Sequence, residues 1–298
     1  MSSSLNTAKE LITKIRKMRI GGRRHVQTAL AGSYHSAFKG KGIEVADLRE
    51  YVVGDDVRTI DWKVSARTGR PFVKQFCEER ELPVILLIDI SSSSNFGTAK
   101  QNKAELIAEA TAMLTLSAIE NGDKVGAVFF GKGVEGHLHL GKSPQHALIL
   151  LQQLLMRQKS STTTDCTGVF EATNNLFRQG SLLFILSDAL FEFPQAAFRI
   201  AAKRFDTSFF LVTDPREKTL PDVGIVRIND IESGKEALID THNAAFRKQY
   251  RQTAKERIAN IKRICQRAGA GFAELNTALD CPHTLQAYFA SLTKRSQG

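Results

Sequence analysis

Three groups of short polar side chains give this chain its clearest capacity for chemistry. The first, Asp89-Ile90-Ser91-Ser92-Ser93, follows an apolar run at 83–88 that is predicted to be a buried parallel strand. The others are Thr162-Thr163-Thr164-Asp165, and Ser187-Asp188 after a second apolar run at 181–186. Open α/β sheets bind ligands at the carboxyl ends of their strands, and clustered hard oxygen atoms suit Mg²⁺ or Mn²⁺. The sequence therefore predicts a cation site at this edge of the sheet.

A simpler interpretation of the first group needs no metal. Asp and Ser are favoured N-cap residues, so Asp89, Ser91 and Ser93 have a second possible use, which is to cap the helix that follows the strand. The threonine and Ser-Asp groups at suitable distances favour the cation site over this alternative.

Other patterns that could indicate catalysis have ordinary structural explanations. The run Gly131-Lys132-Gly133-Val134-Glu135-Gly136 has the spacing of a dinucleotide-binding loop, but alternating residues follow it, so a hairpin is predicted. His137 and His139 share one face of that hairpin without a metal-spaced partner, which favours a surface pair over a zinc site. The chain has no P-loop or G-x-S-x-G element, and no His is evident as a base for Ser91, so we expect no enzyme activity.

Composition and charge narrow the class of protein further. No apolar run is long enough to cross a membrane and the first residues are polar, so we expect neither a transmembrane helix nor a secretory signal. The four cysteines form no C-x-x-C pair, which fits a reducing compartment and a cytoplasmic location. The net charge of +10 is concentrated in residues 1–80, with 16 Lys and Arg against 9 Asp and Glu. Nucleic-acid-binding motifs are absent, so nucleic acid is not the partner we expect.

From Asp89 onward, predicted strands alternate with predicted helices. The strands are predicted at 124–130, 135–140, 208–213 and 271–275, with a hairpin at 224–238. The helices are predicted at 103–121, 144–156, 166–178, 193–203, 244–267 and 284–294. This alternation implies an α/β fold with a mostly parallel central sheet and helices on both faces. The helix at 244–267 carries eight basic residues, which predicts a solvated face or, alternatively, a docking face for an acidic partner.

Two segments precede this α/β domain. Residues 5–18 are basic with apolar side chains at helical spacing, which predicts a helix that docks on protein or, alternatively, contacts a membrane surface. Residues 32–80 are rich in glycine and charge, and predict a packed ion-pair network anchored by Tyr51 and Trp62. The predicted division is therefore 1–31, a basic N-terminal helix and linker; 32–80, a packed signature segment; and 81–298, the α/β domain.

The second segment also carries a long family resemblance. The string G-x-G-x-E-x-x-x-L-R-E-Y-x-x-G-D-D-x-R-x-I-D-W-K-x-S-A-R, from Gly40 to Arg67, resembles the signature of a bacterial and archaeal family, the domain of unknown function fifty-eight. Matching residues continue through Val73-Lys74-Gln75-Phe76, Glu79-Arg80, the Asp89 group, Asp214-Pro215-Arg216-Glu217, Leu220-Pro221, Arg247 and Tyr250. The resemblance thus covers most of the chain from about residue 30. Many family members carry membrane helices before the signature, and this sequence shows none there.

The resemblance implies a Rossmann-like, von Willebrand factor A-type fold with a metal-ion-dependent adhesion site. In such a site two serines and a threonine bind the cation, aspartates act through water, and an open position accepts a partner's carboxylate. The direct ligands of Mg²⁺ or Mn²⁺ would be Ser91, Ser93 and Thr164, with Thr163 as the alternative threonine. Asp89 and Asp188 would be outer ligands. The family's genes lie beside MoxR-type AAA+ ATPases, which implies such an ATPase or its client as the partner.

We therefore expect a non-enzymatic, metal-dependent interaction module that serves a MoxR-type AAA+ ATPase as adaptor or co-chaperone. The candidate partner-binding residues of the signature segment are Arg49, Asp55, Asp56, Arg58, Asp61 and Arg67. One alternative is a phosphoesterase-like hydrolase that uses the same cation as a Lewis acid. The other is a basic scaffold for nucleic acid.

Overall fold

The computed structural model describes residues 24–38, 44–77, 81–99, 101–157, 166–229 and 236–296. The strands in these ranges are β1 (Glu44–Glu50), β2 (Phe72–Cys77), β3 (Pro83–Asp89), β4 (Lys124–Phe130), β5 (Val134–Gly141), β6 (Leu182–Ser187), β7 (Asp206–Thr213), β8 (Ile225–Asn229), β9 (Glu236–Asp240) and β10 (Gly271–Asn276). The α-helices are α1 (Arg24–Phe38), α2 (Trp62–Thr68), α3 (Lys103–Glu120), α4 (Pro144–Arg157), α5 (Thr167–Leu176), α6 (Gln195–Arg204), α7 (Pro215–Lys218), α8 (Ala244–Ala268) and α9 (Cys281–Ser296). Short 3₁₀ helices occupy Val57–Thr59 and Ser92–Asn95.

A six-stranded sheet in the order β10-β7-β6-β3-β4-β5 forms the centre of the molecule. Its strands pair in parallel except for β5, which is antiparallel to β4 at one edge. Strands β3 and β6 are apolar at nearly every position and buried along their length, as parallel strands covered on both faces require. The predicted fold class, a mostly parallel sheet with helices on both faces, is confirmed.

Helices cover the two faces of this sheet and form two cores. Helices α1, α3, α4 and α9 contribute to one core, and α5, α6 and α8 contribute to the other. Along β3, Leu86 and Ile88 belong to the first core, whereas Ile85 and Leu87 belong to the second, as alternation along a strand dictates. The predicted elements from residue 89 onward match the observed ones closely, including the edge strand β5 and the β8–β9 hairpin.

Helix α1 is an element that the sequence patterns did not predict. Its residues Leu30, Tyr34 and Phe38 recur every four positions and are buried in the first core. Tyr34 and Phe38 both make edge-on ring contacts with Phe289 of α9. The helix therefore spans the predicted boundary between segments 1–31 and 32–80 and packs into the α/β domain. The predicted helix at 5–18 lies outside the described residues.

The signature segment forms an antiparallel β1–β2 hairpin whose connection contains the first 3₁₀ helix and α2. Arg49 makes a bidentate contact with Asp55, at 2.7 and 2.8 Å, and Arg70 contacts Glu50 at 3.0 Å, so two ion pairs of the predicted network are present. Tyr51 is half-buried, but the Trp62 side chain is 70% exposed. The predicted anchoring role of Trp62 is therefore wrong, because Trp62 is the first residue of helix α2 and its side chain points into solvent.

Two further aspartates of this segment serve as helix caps. The Asp56 carboxylate accepts a hydrogen bond from the backbone N–H of Arg58, and that of Asp61 accepts from the N–H groups of Lys63 and Val64. Such caps satisfy N–H groups that lack partners within the helix. The acidic residues of the signature therefore fix the local backbone as well as forming ion pairs.

Candidate functional site

The candidate site lies where the chain reverses its direction across the sheet. From β3 the chain continues to β4 on one side, and it later returns to place β6 on the other side of β3. Ile88 pairs with Leu186 in this register, so the residues that follow β3 and β6 emerge together. The crevice between two such strands is the usual ligand site of an open α/β sheet.

Asp89 organises the polar groups at this crevice. One oxygen of its carboxylate accepts a hydrogen bond from the backbone N–H of Ser91 at 2.9 Å. The other accepts from the Ser187 hydroxyl of β6 at 2.6 Å. The hydroxyl oxygens of Ser91 and Ser93 lie 3.0 Å apart, and both side chains are buried. The sequence-predicted group therefore folds into one compact arrangement of oxygen atoms.

This arrangement differs from simple helix capping. Ser91 precedes the second 3₁₀ helix, but its side chain makes no capping hydrogen bond. The long helix α3 begins later, and Asn102 caps it in a reciprocal arrangement with Glu105. The hydroxyls of Ser91 and Ser93 instead lie within hydrogen-bonding distance of each other, a separation that also suits two ligands of a common ion.

The oxygen atoms fit a small divalent cation. Ligands at adjacent corners of a Mg²⁺ octahedron lie about 3 Å apart, given Mg–O distances of about 2.1 Å. The Ser91 and Ser93 oxygens have this separation. Carboxylate oxygens accept more than one hydrogen bond, so Asp89 can hold a cation-bound water in addition to its present donors. Thr164 and the alternative Thr163 lie outside the described residues. The described ranges contain no cluster of three or more His, Cys, Asp or Glu side chains suited to a metal.

Asp188, the last predicted ligand, is held by a lysine that sequence reasoning missed. The ammonium group of Lys103, at the start of α3, lies 2.5 Å from the Asp188 carboxylate and 2.5 Å from that of Glu217. The Lys103 side chain is 0% exposed. Arg257 of α8 donates to the Asp188 carbonyl at 2.9 Å and approaches Glu217 at 3.9 Å. These four side chains form a continuous chain of charges beside the crevice.

The charges of this chain alter the acidity of the groups beside them. Burial would lower the pKa of Lys103, but the carboxylates of Asp188 and Glu217 outweigh burial and raise it, so the lysine remains charged. Burial and the nearby Asp188 carboxylate raise the pKa of Asp89 to about 7. Among the described residues, Asp188 is paired with a cationic side chain, whereas Asp89 accepts hydrogen bonds from neutral groups.

Asp214 fixes the neighbouring loop, which follows β7. One of its carboxylate oxygens accepts from the Thr98 N–H and the Thr277 hydroxyl, and the other accepts from the Thr98 hydroxyl and the Arg216 N–H. The Glu217 carboxylate in turn accepts a hydrogen bond from the Asp214 N–H. This network holds Glu217 where it meets Lys103, so the motif Asp214-Pro215-Arg216-Glu217 belongs to the edge of the candidate site.

The candidate partner-binding residues belong to the β1–β2 hairpin and its connection, not to the loops that form the crevice. Arg49 and Asp55 satisfy each other, and Asp56 and Asp61 cap helices, as described above. The remaining two, Arg58 and Arg67, are exposed on the signature segment.

The histidine pair of β5, predicted to be a surface feature, is exposed with ring centroids 4.9 Å apart. Burial raises the pKa of the Cys265 thiol to about 12, which disfavours the thiolate that a nucleophilic cysteine needs. No described helix has the length and apolar character needed to cross a bilayer.

Comparison with known proteins gives a family and relatives of unknown activity. A family model described as "Protein of unknown function DUF58" matches residues 47–260. The uncharacterized protein Rv1480 of Mycobacterium tuberculosis is 29% identical over 287 residues, which are 95% of this chain and 90% of that protein. The uncharacterized protein YeaD of Bacillus subtilis is 31% identical over 114 residues, 37% of this chain and 25% of that protein.

Similar solved structures include two with low sequence identity. The conserved hypothetical protein BatB from Bacteroides thetaiotaomicron is 16% identical, with a TM-score of 0.47 over 72% of this chain and 99% of that chain. The SpRpn10 VWA domain is 10% identical, with a TM-score of 0.35 over 72% of this chain and 95% of that chain.

Proposed function

We propose, from the premise that this chain belongs to the family described as Protein of unknown function DUF58, that it is a non-enzymatic protein-interaction module that depends on a divalent cation. Mg²⁺ or Mn²⁺ would be held directly by Ser91, Ser93 and Thr164. Asp89 and Asp188 would orient its water ligands.

One observation supports this proposal most directly. The buried hydroxyls of Ser91 and Ser93 converge at 3.0 Å at the point where the sheet topology reverses, beside two buried carboxylates. A cation whose direct protein ligands are neutral hydroxyls keeps most of its charge. An incoming carboxylate therefore gains more from such a cation than from one already neutralised by carboxylate ligands.

The partner that we propose presents an Asp or Glu side chain to this cation. The family resemblance suggests a MoxR-type AAA+ ATPase or a client of that ATPase, with this chain as adaptor or co-chaperone in the cytoplasm. The exposed Arg58 and Arg67 would contribute to the contact from the signature segment.

Thermal unfolding with and without cation tests the proposal. The chain is stripped with chelator, and its melting temperature is measured before and after Mg²⁺, Mn²⁺ or Ca²⁺ is added. A ligand that binds only the folded state stabilises it by about 2.7 kcal/mol at a hundred times its Kd. We expect Mg²⁺ and Mn²⁺ to raise the melting temperature of the wild type, and Asp89→Ala to abolish the rise.

A matched pair of serine variants localises the effect. Ser93→Ala removes a proposed ligand, whereas Ser94→Ala removes a neighbouring buried hydroxyl that has no hydrogen-bond partner within the described part of the chain. The cation-induced rise should be lost in Ser93→Ala and retained in Ser94→Ala. A rise that survives Ser93→Ala would place the cation elsewhere. Mg²⁺-dependent turnover of a phosphodiester, lost in Asp89→Ala, would replace this proposal by the hydrolase alternative.

A further inference from the structure

Burying the charged Lys103 side chain at the start of a helix costs free energy unless negative groups offset its charge. Lysine is almost never fully buried without a partner, and this side chain is completely inaccessible to solvent. Lys103 is also the first residue of α3, where the helix dipole disfavours a positive charge. The carboxylates of Asp188 and Glu217, each 2.5 Å from the ammonium, offset both costs.

Lys103 contacts Asp188, one of the residues proposed to hold the waters of the cation. Lys103 binds one oxygen of Asp188, and the N–H of Leu190 binds the other at 3.2 Å. The carboxylate that would hold a cation-bound water is therefore already neutralised from within the protein. Within the described part of the chain, the hydrogen bonds to the Asp89 carboxylate come from neutral donors, the Ser91 N–H and the Ser187 hydroxyl.

Asp89, together with the chain of charges formed by Asp188, Lys103, Glu217 and Arg257, carries one negative charge in excess when every carboxylate is ionised. Asp89, Asp188 and Glu217 contribute three negative charges, and Lys103 and Arg257 contribute two positive ones. A divalent cation reverses the balance to one positive charge. A single carboxylate from outside then brings it to zero.

From this balance we infer that Lys103 is a built-in counter-cation that weakens binding of a lone divalent cation and makes tight binding depend on an external carboxylate. The inference rests on the proposed function and adds its regulation. Cation and acidic partner would bind cooperatively, since each supplies the charge that the other lacks. Without Lys103 the cluster would hold two negative charges, and the divalent cation alone would neutralise it.

Titration of the full chain with Mn²⁺ alone tests the inference, with free Mn²⁺ followed by electron paramagnetic resonance. We expect Lys103→Met to bind Mn²⁺ at least about tenfold more tightly than the wild type, because a unit positive charge next to the site is removed. Glu217→Gln should bind severalfold more weakly, because a negative charge is removed while a hydrogen-bonding group remains. A purely structural role of this cluster would weaken binding in both variants, so opposite directions identify the electrostatic role.

Lys124→Met is the matched control for loss of a lysine. Lys124 begins β4 at the opposite end of the strands, where it is about half exposed and contacts Glu81. Its removal should leave the Mn²⁺ affinity unchanged. Sodium acetate supplies a free carboxylate, with sodium chloride at equal ionic strength as its control. Acetate should tighten Mn²⁺ binding by the wild type more than by Lys103→Met.

The outcomes separate this inference from the proposed function. Tighter Mn²⁺ binding by Lys103→Met than by the wild type supports the inference. Wild-type binding that Lys103→Met fails to tighten overturns the inference and leaves the cation site standing. Absence of binding in both overturns the cation site as well. If Lys103→Met does not fold, as judged by near-ultraviolet circular dichroism, unchanged or tighter binding by Glu217→Gln overturns the inference.

Discussion

Asp214→Asn is expected to destabilise the loop that positions Glu217, because the Asp214 carboxylate accepts four hydrogen bonds that an amide cannot all retain. Each oxygen of the buried Asp214 carboxylate accepts one backbone N–H and one hydroxyl. An asparagine turns one of these oxygens into an NH₂ group. The hydroxyls of Thr98 and Thr277 can rotate to accept from it, but a backbone N–H cannot.

In either orientation of the amide, therefore, the N–H of Thr98 or of Arg216 loses its acceptor. An unsatisfied buried N–H costs about 1–3 kcal/mol, and the remaining bonds lose the benefit of an ionised acceptor. We expect a total loss of about 2–4 kcal/mol in the free energy of unfolding. Urea denaturation measures it as a lower midpoint with an unchanged m-value. Thr277→Val, which removes one donor and keeps the carboxylate, should cost only about 1 kcal/mol.

The pH dependence of this loss provides a second, independent check. Burial raises the pKa of Asp214, but its hydrogen bonds outweigh burial and leave the pKa below the ordinary value. A carboxyl with a lowered native pKa contributes stability above its unfolded pKa of about 3.9, and loses it as pH falls through the native pKa. The difference between wild type and Asp214→Asn should therefore be largest above about pH 5 and shrink in acid. A loss under about 0.5 kcal/mol at neutral pH, or one that does not shrink, would refute this reasoning.

Three further predictions concern packing and exposure, and urea denaturation measures each of them. Tyr34→Phe removes the hydroxyl that donates to the Asp123 carboxylate at 3.0 Å, so we expect a loss of about 1–2 kcal/mol; an unchanged midpoint would contradict it. Gly271→Ala places a methyl group against the Tyr288 hydroxyl and should cost about 1–3 kcal/mol, of which Tyr288→Phe should restore part. Trp62→Ala should change stability by under about 0.5 kcal/mol because its side chain is mostly exposed, and a larger loss would restore its anchoring role.

The elements around the candidate site were predictable because their signals are local. Strand β4 was predicted with its observed bounds, and the helix after Asn102 within one residue, since an apolar run marks the strand and helical spacing marks the helix within each segment. The Asp89-Ile90-Ser91-Ser92-Ser93 group was placed correctly at the end of β3, because polar residues must emerge where a buried strand ends. The predicted roles of these residues as cation ligands remain predictions.

Features that depend on distant residues were not predictable in the same way. Lys103 resembles any surface lysine at the start of a helix, and its burial depends on carboxylates 85 and 114 residues away. Helix α1 did carry a signal, because Leu30, Tyr34 and Phe38 are spaced at four residues, but the glycine- and charge-rich composition of 32–80 placed a predicted segment boundary inside the helix. Trp62 was predicted to anchor an ion-pair network because charged and aromatic residues alternate in 32–80, a pattern that does not determine which aromatic side chains are buried.

The buried charges explain how the loops at this edge of the sheet act as one unit. Asp188 follows β6, Glu217 follows β7, and Lys103 and Arg257 belong to helices that cover opposite faces of the sheet. Lys103 is held by carboxylates from two different loops, so neither Asp188 nor Glu217 can move far without weakening the pairing of a fully buried ammonium group, which is costly. Under the proposed function, a cation beside Asp89 that competed with Lys103 for Asp188 would therefore act on Glu217 as well. Because Glu217 is fixed by the Asp214 network, the effect of the cation would extend from the β3–β6 crevice to the loop after β7.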